Sequence, residues 1–263
     1  MSVPHLPPPA PDPTTQALAV RDLTKVFGRQ TAVDRLSLDI PRGSIYGIVG
    51  PNGAGKTTMI SMVAGLARPT AGRAWVAGHD VWEEPLPAKR AMGLLVDGVP
   101  VFDRLSGREY LSYLGGLRGI PEAEVERRSA ELLDALNLTD AGPKYIVDYS
   151  AGMKKKILLA GALLHGPEIL ILDEPLEAVD PVSGRLIQQI LRRYAAGGGT
   201  VVLSSHVMEL VEGLCDHVAV IHQGRVLTAG HVDEVRRGAS LVDTFVGLVG
   251  GGDLDDDALG WLR

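Results

Sequence analysis

One short stretch constrains the fold of this chain more than any other. Residues 50–57 read Gly-Pro-Asn-Gly-Ala-Gly-Lys-Thr, which matches the pattern G-x-x-x-x-G-K-[ST]. The apolar run before it, residues 44–49, indicates a buried strand, and residues 58–66 after it indicate a helix. Glycines let the backbone N–H groups of such a loop converge on an anion, and the helix start adds further donors. The stretch therefore predicts a phosphate-binding loop that joins a strand to a helix.

Two side chains of this loop carry chemistry. Lys56 can place its ammonium group against the β- and γ-phosphates of a nucleotide. The hydroxyl of Thr57 can bind a Mg²⁺ ion that bridges the same phosphates. A glycine turn with a solvated lysine is the structural alternative, but the full pattern between a strand and a helix favours the nucleotide site.

Length, charge and cysteine content limit the remaining classes of function. The chain has 263 residues, a net charge of -6 and a single cysteine, Cys215. The length suits one large α/β domain, and the acidic balance argues against nucleic acid as a partner. One cysteine forms no internal disulfide and fits a reducing compartment. Because no apolar run is long enough to span a membrane and no secretory leader is visible, we expect a cytoplasmic location.

Four segments of the chain have a distinctive composition or pattern. Residues 1–16 are rich in proline and predict a disordered lead-in, whereas residues 17–40 contain two alternating stretches typical of antiparallel strands. Residues 103–150, approximately, have helical periodicity and predict a helical insert. Residues 250–263 predict a flexible acidic tail. The globular part thus extends over residues 17–249.

The ends of three further predicted strands carry polar candidates. Asp173 and Glu174 follow a continuous apolar strand, where Asp173 can hold Mg²⁺ and Glu174 can orient or deprotonate an attacking water. Asp97 and His206 each follow another strand. Ligands bind at the carboxyl ends of strands in such sheets, so Asp97 can reach Mg²⁺ through a water and His206 can hydrogen-bond the γ-phosphate. The alternatives are a solvated loop residue for Asp97 and, for His206, the structural role that is usual for a lone histidine.

Two other features admit a functional and a structural interpretation. Phe27, beside a turn, can stack on an adenine face or simply pack into the core. Ser150 is a strong helix N-cap, and Gly152 leaves the backbone N–H groups of that helix start accessible. The helix start is therefore either a second phosphate site or an ordinary cap.

Taken in order, these features resemble the nucleotide-binding subunits of ABC transporters over residues 17–249. The resemblance is closest to bacterial exporters of the ABC-2 type. It implies a P-loop NTPase fold, with a mixed sheet flanked by helices, an N-terminal antiparallel β subdomain and an inserted α-helical subdomain. It also implies binding of ATP and Mg²⁺. The residues that the resemblance assigns to ATP are Phe27, Gly50, Pro51, Asn52, Gly53, Ala54, Gly55, Lys56, Thr57 and Thr58.

The resemblance gives roles to the other candidates. Lys56, Glu174 and His206 become catalytic, and Thr57, Asp173 and Asp97 become metal-binding. The family's signature motif corresponds to Ser150, Ala151, Gly152 and Met153, which would act on the nucleotide of a second copy, and Asp180 corresponds to the aspartate of the dimer-contact loop. Two departures stand out, since Asp97 replaces the usual glutamine and Glu177 replaces a common serine.

The function implied is that of an ATPase motor that closes as a dimer around ATP. Its expected partners are a second ATPase subunit, identical or paralogous, and a transmembrane permease that holds it at the cytoplasmic face of the membrane. Two alternatives stay open from the sequence. One is a soluble ATPase of the same type that acts in cofactor assembly, and the other is a non-catalytic, ATP-dependent clamp.

Overall fold

A computed structural model of the chain describes residues 11–96 and 102–250. The strands are β1 (Gln16–Phe27), β2 (Gln30–Pro41), β3 (Ile45–Val49), β4 (Ala71–Val76), β5 (His79–Asp80), β6 (Met92–Leu95), β7 (Ile169–Leu172), β8 (Thr200–Ser205), β9 (His217–His222) and β10 (Arg225–His231). The helices are α1 (Lys56–Val63), α2 (Pro85–Ala91), α3 (Gly107–Leu117), α4 (Glu122–Ala135), α5 (Ala151–Leu163), α6 (Pro181–Ala196), α7 (Met208–Leu214), α8 (Val232–Arg236) and α9 (Leu241–Val249).

A six-stranded sheet positions the predicted site. Its strand order is β10-β9-β3-β8-β7-β6, with β3, β6, β7, β8 and β9 parallel and β10 antiparallel at the edge. Strand β3 leads into the phosphate loop, and β8 lies between β3 and β7. The carboxyl ends of these three neighbours therefore meet at one edge of the sheet. The α/β fold with a mixed sheet is confirmed.

Both faces of this sheet are covered, which explains the continuous apolar strands. In β7, Ile169 and Ile171 belong to a core shared with α1 and the N-terminal strands, whereas Leu170 and Leu172 belong to a core shared with α5 and α6. Successive side chains of a strand point to opposite faces, so a strand buried on both sides must be apolar throughout.

The N-terminal subdomain is a second, antiparallel sheet with the order β2-β1-β4-β5. The period-two pattern predicts its pairing, since Leu18 and Val20 pair with Ile40 and Leu38. Residues 11–15 precede it as a turn that is tied to the sheet by the backbone N–H of Arg42, which donates to Thr15 O at 3.0 Å.

The inserted helices begin at the residues that the sequence indicates. Ser106 caps α3, its hydroxyl accepting from the backbone of Glu109 while the Glu109 carboxylate accepts from the backbone N–H of Ser106. Pro121 precedes α4, where its missing N–H costs nothing. Within residues 11–96 and 102–250, no helix combines the length and the apolar character that crossing a bilayer requires.

Candidate functional site

The phosphate loop follows β3 and has a backbone that excludes side chains at two glycines. A Cβ on Gly50 would collide with the carbonyl oxygen of Ile221, and a Cβ on Gly55 would lie 2.5 Å from Ala32 O. Gly55 also has φ 104°, a conformation that side chains disfavour. The loop shape therefore requires glycine at both positions.

The turn between β9 and β10 is hydrogen-bonded to the phosphate loop. The backbone N–H of Gly224 donates to Ala54 O at 2.8 Å, and Gly224 O accepts from the N–H of Asp34 at 2.9 Å. Arg225 adds a hydrogen bond from Nε to the carboxylate of Asp34 at 2.8 Å. Segments far apart in the sequence thus hold the loop in place.

A cavity of about 570 Å³ opens at the loop and brings most of the candidate residues together. The candidates that line it are Phe27, Asn52, Gly53, Ala54, Gly55, Lys56, Thr57, Thr58, Glu174 and His206. Gly50 and Pro51 are not among the lining residues, but their carbonyl oxygens accept from Lys56 Nζ at 2.7 and 3.3 Å. The cavity has the size of a small-molecule site.

Charged groups converge at one end of this cavity. Lys56 is only 6% exposed, and its Nζ lies 3.6 Å from Glu174 Oε1. The other carboxylate oxygen of Glu174 lies 3.1 Å from His206 Nδ1. A cation, a carboxylate and an imidazole are therefore close enough together to act on one ligand as an electrostatic and an acid–base group.

The two acids after β7 differ in exposure. Asp173 is 1% exposed and accepts from Ser204 Oγ at 2.5 Å, whereas Glu174 faces the cavity. Glu174 has φ 45°, a left-handed conformation that is uncommon for a residue with a side chain. The left-handed turn ends the strand and separates the directions of the two carboxylates.

Phe27 also lines the cavity and is 53% exposed. Lys25 Nζ sits 5.0 Å from the centre of its ring, a cation–π contact, and is fixed by a hydrogen bond to Arg68 O at 2.7 Å. The structure therefore leaves Phe27 outside the core, in contrast to the core interpretation of the sequence.

The signature residues lie away from this cavity. Ser150 caps α5, with Oγ accepting from Met153 N at 3.3 Å, and Ala151 is exposed beside it. A Cβ on Gly152 would lie 3.5 Å from Asp180 Oδ2, so the helix start and the contact-loop aspartate are neighbours in one copy. Hydrogen bonds from Ser183, with a smaller effect of the Lys156 charge, lower the pKa of Asp180.

Several cavity residues have no signal in the sequence pattern. These are Gln30, Thr31, Ala32 and Gln223. Glu177, one of the two departures from the family pattern, lines the cavity as well. Gln223 lies in a hairpin turn that the sequence predicts, but only the contact between that turn and the loop places it here. Asp97, the third candidate metal ligand, lies outside the described residues.

Comparison with known proteins agrees with this arrangement. Residues 33–177 match the ABC transporter family. The daunorubicin/doxorubicin resistance ATP-binding protein DrrA of Streptomyces peucetius is 39% identical over 222 residues, which cover 84% of this chain and 67% of that protein. The linearmycin resistance ATP-binding protein LnrL of Bacillus subtilis (strain 168) is 36% identical over 213 residues, with 81% and 68% covered.

A solved structure described as the ATP-binding subunit of an ABC transporter has the same fold. It superposes with a TM-score of 0.82 at 30% sequence identity and covers 89% of this chain and 99% of its own. A dimeric ATP-binding cassette bound to ADP and Pi shares the fold at a TM-score of 0.75 and 22% identity, with 82% and 98% covered. The chain therefore belongs to the ABC transporter family, among its ATP-binding subunits.

Proposed function

We propose that this chain hydrolyses ATP and thereby drives export through a separate membrane-spanning subunit. The observation that carries the proposal is the convergence of Lys56, Glu174 and His206, with contacts of 3.6 and 3.1 Å, at one end of the cavity. A site that only binds nucleotide needs the lysine and the loop, but has no use for a carboxylate paired with an imidazole.

In the reaction proposed, Lys56 and the loop amides hold the β- and γ-phosphates. Glu174 orients the attacking water and accepts its proton, and His206 donates a hydrogen bond to a γ-phosphate oxygen. The new bond forms between water oxygen and γ-phosphorus, and the bond to the bridging oxygen breaks. ADP and inorganic phosphate are the products.

Thr57 and Asp173 are the proposed ligands of Mg²⁺. A hydroxyl and a carboxylate are hard oxygen donors of the kind this ion prefers. In the part of the chain that the structure describes, no group of three or more His, Cys, Asp or Glu side chains could hold a metal alone. Thr57 lines the cavity and Asp173 precedes the cavity-lining Glu174, so these two oxygen donors would leave the other positions of the ion to phosphate oxygens and water. When bound, Mg²⁺ neutralises charge on the β- and γ-phosphates.

We further propose that a second copy, or a paralogue, completes the site. Ser150 and Gly152 stand at the start of α5 and do not line the cavity of their own copy. A helix N-terminus presents unpaired N–H groups to anions, so this start can close on the γ-phosphate held by a partner. The neighbouring Asp180 would then lie at the interface.

The names of the relatives support a role in export. DrrA and LnrL are named for resistance to daunorubicin, doxorubicin and linearmycin. We infer that this chain likewise works at the cytoplasmic face of a membrane with a permease. Co-expression with a candidate permease and copurification from detergent tests the partnership; a chain that stays in the soluble fraction alone would favour a cofactor-assembly type of ATPase.

The decisive experiment is the variant Glu174→Gln. We expect it to bind ATP normally, to hydrolyse it at least about 100-fold more slowly, and to accumulate as an ATP-bound dimer on size-exclusion chromatography. Glu209→Gln, which removes an exposed carboxylate from α7, is the matched control and should behave as the wild type. Wild-type turnover in Glu174→Gln would remove Glu174 from the mechanism.

The same assay decides between the ATPase and the clamp alternative. Glu177 adds a second carboxylate to the phosphate end of the cavity, and this charge is the observation that favours a clamp without chemistry. ATP-induced dimerisation without phosphate release in the wild-type protein would establish the clamp. Release of phosphate that depends on Glu174 would exclude it.

A further inference from the structure

The residue of interest is Ser204, the penultimate residue of β8. Its side chain is completely buried, at 0% exposure. The three residues that precede it in β8 are all apolar. Burial of a hydroxyl group costs folding free energy unless the group is hydrogen-bonded. The hydrogen-bond partners of Ser204 therefore indicate what the side chain does.

Both partners of the hydroxyl belong to the acidic pair after β7. Ser204 Oγ donates to Asp173 Oδ1 at 2.5 Å and accepts from the backbone N–H of Glu174 at 2.9 Å. One hydroxyl thus satisfies a carboxylate oxygen of the proposed metal ligand and the peptide of the proposed catalytic glutamate.

Strand register explains why this serine reaches both acids. Leu172 pairs with Leu203 across β7 and β8, so the next residues, Asp173 and Ser204, lie side by side. On its other side β8 pairs with β3, where Ile48 is opposite Ser204, two residues before the phosphate loop begins. Ser204 therefore lies between the strand that leads to the two acids and the strand that leads to the phosphate loop.

The two hydrogen bonds constrain the geometry of the acids in different ways. Donation to Oδ1 restricts the rotation of the Asp173 carboxylate and occupies one of its two oxygens. Acceptance from Glu174 N holds the peptide that precedes the left-handed turn at φ 45°. Without this bond, a residue with a side chain would relax toward a more common backbone conformation.

We propose that Ser204 is a positioning residue for hydrolysis, which aligns Asp173 for the metal and Glu174 for the attacking water through a single hydroxyl. This inference rests on the ATPase function proposed above. Outer-shell partners of metal-binding carboxylates typically change metal affinity or activity about 10- to 100-fold when removed.

The test compares Ser204→Ala with the wild-type chain in the presence of a non-hydrolysable ATP analogue. Metal affinity is measured from the loss of the free Mn²⁺ EPR signal, and nucleotide affinity is measured separately in EDTA. For Ser204→Ala we expect about 10-fold weaker Mn²⁺ binding and at least about 10-fold slower ATP turnover, with nucleotide affinity in EDTA within about 2-fold.

Two further variants separate positioning from packing. Ser205→Ala removes the neighbouring buried hydroxyl, which accepts from Val207 N at 3.0 Å, and should match the wild type in Mn²⁺ affinity. Ser204→Thr keeps the hydroxyl and should recover most of the metal affinity. If Ser204→Ala does not fold, Ser204→Cys replaces it, because a thiol of similar size is only a weak donor.

The outcomes are distinct. Equal metal affinity and turnover in Ser204→Ala and the wild type would overturn the inference. A variant that loses nucleotide affinity in EDTA and melts earlier would also overturn it, since the serine would then be structural. If the wild-type chain itself released no phosphate, the proposed ATPase function would fail, while the Mn²⁺ comparison would still decide the role of Ser204.

Discussion

Single residues of the cavity give it two kinds of surface. Lys25 covers one face of Phe27, and the ring remains 53% exposed. Lys56 is a buried cation, and Glu174 and Glu177 are carboxylates that line the same cavity. The cavity therefore offers a ligand both an aromatic face and a group of opposite charges.

Substitution of the exposed aromatic should weaken nucleotide binding. Base stacking on an aromatic side chain is worth about 1–3 kcal/mol, so Phe27→Ala should raise the Kd for ATP by about 5- to 150-fold, whereas Phe27→Trp should keep it. Isothermal titration calorimetry measures the change. Phe102→Ala removes another exposed aromatic, which contacts Tyr113, and serves as the control. Equal affinities for Phe27→Ala and Phe102→Ala would contradict the stacking role.

The unusual carboxylate in the cavity should oppose nucleotide binding. Glu177→Ser removes a negative charge from a site for a polyanion, so ATP should bind about 2- to 5-fold more tightly, as expected for a screened surface charge. The gain should shrink in high salt. Titrations at low and high ionic strength check both statements; weaker binding in Glu177→Ser would mean that the carboxylate helps to hold the ligand.

At the scale of elements, local signals and long-range contacts contribute differently. The capping box at Ser106, the alternation in β1 and β2 and the Gln223–Gly224 turn are predictable because neighbouring residues determine them. The position of Ser204 beside Asp173 is not, because it depends on which strands pair. The sequence therefore predicts the loop and the strand-end acids of the site, but not the residues that tertiary contacts bring to them.

The cap of α3 offers a test of one such local signal. Ser106→Ala removes the hydroxyl that accepts from Glu109 N, which should lower the free energy of unfolding by about 1 kcal/mol. Urea denaturation measures the difference. Ser112→Ala, at an exposed position of the same helix, should stay within about 0.5 kcal/mol of the wild type. A loss of the same size at Ser112 would show that the cap is not the cause.

For the whole molecule, the pH dependence of stability should involve His165, which follows α5 and contacts the first residue of β6. His165 Nε2 lies 3.1 Å from Met92 O, and the guanidinium of Arg118 is close to the same carbonyl, at 3.5 Å. Burial, and then the positive charge of Arg118, lowers the pKa of His165 from 6.5 to about 4. The folded protein therefore holds this side chain neutral at pH values at which the unfolded chain protonates it.

The stability of the protein should therefore decrease as the pH falls. Because the unfolded state binds the proton first, stability is retained above pH 6.5 and is lost progressively as the pH falls from 6.5 to about 4. His165→Gln keeps a donor for Met92 O but has no proton to gain. The decrease in unfolding free energy between pH 7 and pH 5 should thus be smaller in His165→Gln than in the wild type, by chemical denaturation at both pH values. An unchanged decrease would assign the pH dependence to other groups.

The support that the Gly224 turn gives to the phosphate loop has a consequence for dissection of the chain. Gly224 donates to Ala54 O, and a side chain at Gly55 would collide with Ala32 O. The loop is therefore in contact with residues that precede it in the sequence and with residues that follow it. A peptide of residues 44–66 alone would contain the whole motif but would lack the contacts that Ala32 and Gly224 make with the loop. We therefore expect the isolated peptide to lose the affinity for ATP that the folded chain has, because the β9–β10 turn that contacts the loop is missing.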